Sequence, residues 1–162
     1  MLAPNTYLPD EAATLALGAA LARCLEPGLV VYLHGELGAG KTTLVRGVLR
    51  GLGHGGRVKS PTYALVEVYE VSRLELHHFD FYRFHDPREW IDAGFRESFN
   101  GRIVSLIEWP EKAGDLLPPA DLRITLTSSR DGRNASLQPS SPRGDRCIER
   151  LRSIYPISSS PP

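Results

Sequence analysis

An α/β domain with a mixed sheet is what the sequence predicts, from three observations. Apolar Leu29, Val30, Val31 and Leu33 run into a glycine-rich loop and then into a helical repeat, giving strand, loop and helix in that order. Two β-rich runs, "LVEVYEV" and "LELHHFD", are separated only by Ser72 and Arg73, the pattern of an antiparallel hairpin. The whole order then reads strand, helix, hairpin, helix, strand and strand pair, which calls for both parallel and antiparallel neighbours in one layered domain.

Each element has a local reason. Asp10 is placed to cap a helix in which Leu17, Leu21, Cys24 and Leu25 recur at helical spacing, and Pro27-Gly28 stops it. The strand 29–34 follows. Beyond the glycine loop, Leu44, Val48 and Leu52 fall four apart with Val45 and Leu49 beside them, one helix face aimed at a sheet, and Gly53 supplies the stop. "HGGRVKSPTYA", residues 54–64, has the Gly, Ser and Pro density of a mobile loop. The hairpin pairs 65–71 with 74–80. Asp86-Pro87 reads as an N-cap followed by proline in the first turn of a short helix through Trp90 and Ile91, and a second short helical piece covers 95–99. "RIVSLIEW" is a buried strand ending on Glu108, and "DLRITLTSS" and "ASLQ" form a last pair around Asp131-Gly132.

At 162 residues and 41% hydrophobic content, the chain suits one domain with a single sizeable core. That domain is expected over residues 1–138. Residues 139–162 read as a Ser/Pro/Arg-rich tail, with a short helix over 146–154 and then a disordered end. Lys+Arg and Asp+Glu are both 19, so net charge gives no argument for nonspecific binding to nucleic acid or anionic lipid. Two distant cysteines, Cys24 and Cys147, exclude a disulfide framework. Neither a basic leader with an apolar core nor a run of roughly 20 apolar residues is present, so a cytoplasmic protein without a membrane span is expected.

Gly35, Glu36, Leu37, Gly38, Ala39, Gly40, Lys41 and Thr42 spell GxxxxGK[ST] in full. The glycines let successive backbone N–H groups turn inward around phosphate oxygens, and the following helix aims its positive dipole end at them. Lys41 is expected to reach the β- and γ-phosphates, and the Thr42 hydroxyl to ligate Mg2+. A glycine-rich turn that binds nothing would not need strand and amphipathic helix on the correct sides. The motif makes the fold a P-loop NTPase, a three-layer α/β/α domain, but leaves hydrolysis, transfer and signalling open.

The acids narrow the choice. Asp80 and Glu108 each end a strand, where a metal-ordering or water-positioning carboxylate sits beside a phosphate loop. Thr62 lies in a loop suited to sensing the γ-phosphate as switch loops do. Trp109 is placed to stack on a base or cover the site, packing being its commoner use. His77 and His78 are adjacent in a strand, so they point to opposite faces and cannot chelate one metal together.

Several stretches together resemble the TsaE (YjeE) family of small P-loop ATPases of bacterial tRNA threonylcarbamoyladenosine (t6A) synthesis. They are "LPDEAATLALG", "YLHGELGAGKTTLVRGVLRGLG", "VKSPTYALVEVY", "HHFDFYRFHDPREW", "GFRESF" and "IEWPEKAG", covering most of residues 8–120. The resemblance implies binding of ATP and Mg2+ and slow ATP hydrolysis. It also implies work with the TsaD and TsaB proteins, tRNA being met only through that complex. It places Lys41, Thr42 and Thr43 in the phosphate loop, Thr62 in the switch-like loop, Asp80 in the HxDxYR motif as the Walker B acid, and Glu108 in the EW motif as a Mg2+ ligand. Which acid prepares the attacking water stays open. Glu11, in "DEAAT", resembles the segment that approaches the base, and Arg133 the family's late arginine near it. The Ser/Pro tail departs from the family pattern.

Three other readings compete. A small-molecule kinase would need a lid, for which Arg130, Arg133, Arg143 and Arg146 are the available residues. A GTP switch lacks both an NKxD and a DxxG motif. A nucleotide-binding scaffold without catalysis would be indifferent to mutation of Asp80.

Overall fold

A computed structural model describes residues 4–71 and 74–158. Seven strands form one sheet in the order β1-β7-β6-β2-β5-β4-β3. They are β1 Asn5–Leu8, β2 Val30–His34, β3 Val66–Val71, β4 Leu74–Asp80, β5 Val104–Glu108, β6 Leu122–Ser129 and β7 Gly132–Pro139. The central four, β6-β2-β5-β4, are mutually parallel, and β1, β7 and β3 are antiparallel additions at the edges. The mixed α/β sheet is therefore as the sequence indicates. The hairpin forms with Val66 opposite Phe79 and Val71 opposite Leu74, while the expected Ser72-Arg73 turn lies outside the described residues.

The helices are α1 Glu11–Ala22, α2 Lys41–Gly51, α3 Glu89–Asp92 and α4 Pro142–Arg152. Asp10 caps α1 as its residue type dictates, its carboxylate accepting from the Ala13 N–H at 2.9 Å. Helices α1 and α2 pack at very close range because glycines face the contact. A Cβ on Gly18 would lie 2.5 Å from the Leu44 carbonyl oxygen, and one on Gly47 2.5 Å from that of Leu15. This contact holds the helix that begins at the phosphate loop.

Alternation along β2 divides the core. Val31 and Leu33 join an aliphatic cluster with Leu17, Leu21, Leu44, Val48 and Ile124 under α1 and α2. Val30 and Tyr32 face a largely aromatic cluster of Phe79, Phe81, Phe84 and Trp90. The layer on that second face is thin: α3, a 3-10 turn at Phe95–Ser98 and two more across Pro110–Leu116, broken at Gly114.

Two local expectations are revised, and one strand is added. Asp86 does not cap α3; its carboxylate accepts from the Arg88 N–H at 2.9 Å, and the helix starts two residues later than expected, at Glu89. The last helix begins four residues before the expected Arg146. Ser141 supplies the cap by accepting from the Gly144 N–H at 3.0 Å, with Pro142 in the first turn. Its Cys147, Ile148 and Leu151 belong to the aliphatic core, and Asn5 and Ser158 exchange backbone hydrogen bonds. Strand β1 has no counterpart in the sequence reading, four residues being too few for a period to show. Among the described residues, no helix is long and apolar enough to cross a membrane.

Candidate active site

The loop between β2 and α2 leaves the sheet at its centre. Gly38 and Gly40 take φ of 80° and 105°, a region where L side chains are strained, and Gly40 stands at the N-terminus of α2. Lys41 folds back over the loop, donating to the Gly35 carbonyl at 2.6 Å and the Glu36 carbonyl at 2.9 Å. Two of its three N–H groups are used in this way. Its ammonium also lies 4.4 Å from the centre of the Trp109 ring. Burial lowers the Lys41 pKa, opposed by the negative charges of Glu108, Asp80, Glu111 and Glu36.

Parallel pairing brings the two acids together. Asp80 and Glu108 are register partners at the ends of β4 and β5, and Glu108 is also opposite Leu33 of β2, one strand from the loop. The Thr42 hydroxyl donates to Glu108 at 3.0 Å (Oε2) and 3.3 Å (Oε1). Asp80 accepts from the Tyr82 N–H at 2.9 Å and from the Thr62 hydroxyl at 3.5 Å. Burial raises the Asp80 pKa; the Tyr82 N–H opposes this, Glu108 adds to it, and His78 and Lys41 oppose it.

These groups line a cavity of about 400 Å3 together with Leu37, Ser60, Arg83 and Trp109. On the other flank of the loop is a second cavity of about 270 Å3, lined by Asp10, Glu11, Thr14, Asp131 and Arg133, and sharing Gly38, Gly40 and Thr43 with the first. Arg133 donates to the Ala39 carbonyl at 3.3 Å and that of Gly38 at 3.4 Å, so it braces the loop from this side. Glu11 pairs with Arg46 at 3.5 Å.

The site residues picked from sequence thus divide between two adjoining cavities. Lys41, Thr42, Thr62, Asp80, Glu108 and Trp109 fall in one, Glu11 and Arg133 in the other. Trp109 stands beside the lysine and 5.0 Å from the Tyr82 ring, not in the cavity of Glu11 and Arg133. The four arginines considered for a kinase lid do not converge. Arg130 lies over Tyr7, Arg133 on the phosphate loop, Arg143 by Gly28 and Arg146 by Glu26.

Two neighbours, Ser60 and Arg83, escaped the sequence reading, and a third, His78, has only a structural or supporting place in it. Ser60 shares a hydrogen bond of 2.8 Å with Thr62, and the Arg83 guanidinium lies 4.6 Å from the ring centre of Tyr63. His78 is fully buried, with Nε2 2.6 Å from Glu108 Oε2. The HxDxYR spacing marks His78 and Arg83, but only strand pairing reveals what they touch.

The donors suit a hard divalent cation shared with a phosphate. Among the described residues, no group of three or more His, Cys, Asp or Glu could hold a metal. One threonine hydroxyl and two carboxylates match Mg2+, which takes few protein ligands and completes its shell with water and phosphate oxygens.

A central parallel strand, its glycine loop and the helix begun by Lys41 put the chain in the P-loop class of α/β proteins. The family model described as "Threonylcarbamoyl adenosine biosynthesis protein TsaE" matches residues 8–135. The chain belongs to the TsaE family. It is 47% identical over 136 residues to the tRNA threonylcarbamoyladenosine biosynthesis protein TsaE of Haemophilus influenzae, covering 81% of this chain and 86% of that one. The protein of that name from Bacillus subtilis is 40% identical over 127 residues, 78% of each chain. A crystal structure titled Bacillus subtilus YdiB superposes with a TM-score of 0.81 at 29% identity, covering 94% of this chain and 97% of that one.

Proposed function

We propose that this protein hydrolyses ATP, slowly by itself, to support t6A formation on tRNA, acting in the cytoplasm with TsaD and TsaB. The observation that carries the reading is the juxtaposition of Thr42 with Glu108, and of Asp80 beside it, at the mouth of a phosphate-binding loop. The t6A role rests on family membership, since the relatives carry that process in their names.

The residues divide the work. Backbone N–H groups of the loop and the N-terminus of α2 hold the phosphates, and the third N–H of Lys41 is available to a β- or γ-phosphate oxygen. Thr42 and Glu108, with Asp80 nearby, would hold Mg2+; when bound, that ion neutralises charge on the phosphates. Asp80, held by the Tyr82 N–H and touched by Thr62, orients water for in-line attack on the γ-phosphorus. Glu11, Thr14 and Arg133 line the flank where the nucleoside end would lie. Residues 54–65 carry Thr62 in a segment without helix or strand, so a partner that fixes this segment would raise turnover.

The test is Mg2+-dependent ATP hydrolysis by the protein alone and with the TsaB–TsaD complex, beside Lys41→Ala. Stimulation by the complex that Lys41→Ala abolishes is expected. Hydrolysis that the complex leaves unchanged would refute the partnership, and hydrolysis that survives Lys41→Ala would refute the site.

A further inference from the structure

The histidine beneath the acid pair has a role of its own. His78 lies in β4, fully buried, and its register partner in β5 is Leu106, two residues before Glu108. Its Nε2 is 2.6 Å from Glu108 Oε2, whereas its Nδ1 is buried with no hydrogen-bond partner among the described residues. An ionised carboxylate can only accept, so the short contact requires the proton on Nε2. Nδ1 is left as a buried polar atom without a partner among the described residues, an arrangement that a side chain selected for packing alone would avoid.

From this pairing we infer that His78 is a positioning residue: its Nε2–H fixes the Glu108 carboxylate from inside the sheet so that the Thr42 hydroxyl and the phosphate-side cation meet one rotamer. Among the described residues Oε2 receives two donors, His78 and Thr42, and Oε1 receives only Thr42 at 3.3 Å, leaving Oε1 the freer oxygen. Without the imidazole, the carboxylate would keep one hydroxyl partner and regain rotation about its terminal torsion, which is broad for glutamate. Burial makes this clamp effective: a short charge-assisted bond away from water is stronger than its solvated counterpart. His77, the neighbour, serves the opposite face, where its two nitrogens each lie 3.0 Å from Ser98 and Glu75 oxygens, so the adjacent pair is not redundant.

The inference rests on the ATPase reading, and its test has one arm that does not. Long-range 1H–15N spectra of the protein without nucleotide are expected to show a slowly exchanging proton on His78 Nε2. The Nδ1–H tautomer, or a fast-exchanging proton, would overturn the clamp whatever the protein hydrolyses. In the second arm, His78→Leu and His78→Gln are compared with wild type for melting temperature, for Mg2+-free binding of a fluorescent ATP analogue, and for kcat against Mg2+ concentration. His78→Leu is expected to need about tenfold more Mg2+ and to lose about tenfold or more in kcat, as displacement of a positioned charge does, with Mg2+-free nucleotide binding unchanged. His78→Gln, whose amide N–H can replace Nε2–H, is expected to recover most of both. A folded His78→Leu with wild-type Mg2+ dependence, or equal losses in both variants, would assign His78 to packing and overturn the proposal. A wild type that does not hydrolyse ATP while the Nε2–H signature holds would refute the ATPase reading and leave the clamp standing.

Discussion

The two cavities flanking the phosphate loop are built by different means. On the Asp80 side, charge is concentrated and buried: Lys41, Asp80 and Glu108 are each 5% exposed or less, and all come from strand ends or the loop itself. On the Arg133 side the acids Asp10 and Glu11 are exposed, and Arg133 touches the loop through backbone carbonyls. The first has the feature that chemistry demands, preorganised charge on buried side chains. The second has the features of a holding site, where contacts bear on affinity and less on the reacting bonds. The two share Gly38, Gly40 and Thr43, so a ligand filling both would span the loop.

Substitutions can break or sharpen this contrast. The largest effect is expected from Lys41→Ala, which removes the cation facing both acids; hydrolysis should fall by about 100-fold or more, read as steady-state phosphate release. Arg133→Ala should act on affinity, weakening nucleotide binding by about tenfold, the worth of a charged group's lost hydrogen bonds, as measured by equilibrium titration. Asp10→Ala bears on the same side through the fold, since the cap of α1 is lost; stability should drop by about 1 kcal/mol in chemical denaturation.

A smaller effect of opposite sign is expected at Asp80. Its folded pKa is raised, so the stability from its bound proton is fully present below the ordinary value of 3.8 and is lost as pH rises through the folded value. At neutral pH the folded chain bears a desolvated charge next to Glu108. Asp80→Asn keeps an acceptor for the Tyr82 N–H and removes that charge, so the melting temperature at pH 7 should rise by about 2–4 °C, with the gain shrinking as pH falls through the raised folded value and gone below 3.8. Hydrolysis should fall in the same variant, the usual conflict between a charged site and stability.

The same contrast governs what could be read without coordinates. Lys41 and Thr42 sit in a motif of fixed spacing, and Asp80 and Glu108 close apolar β-type runs, so local pattern alone nominated them. Their contact could not be read, because it depends on β4 and β5 being parallel neighbours in a given register. The place of His78 is hidden for the same reason. Arg133 reaches Gly38 only because β7 runs between β1 and β6, a long-range arrangement that no window of sequence encodes. Elsewhere a legible signal was passed over: Ser141-Pro142 is a regular helix start, yet the charged and glycine-containing segment after it masked the first turn of the helix expected over 146–154. The turns across Pro110–Leu116 were missed because Trp109 and Gly114, at φ of 57° and 59°, interrupt any helical period.

The most direct test of the account is a side-by-side determination of nucleotide affinity and of kcat at saturating ATP and Mg2+ for Glu108→Gln and Arg133→Ala. The division predicts that Glu108→Gln loses about 100-fold in kcat with affinity for Mg2+-free nucleotide little changed, while Arg133→Ala loses affinity and keeps most of kcat. Equal losses of both quantities in both variants, or the reverse assignment, would contradict it.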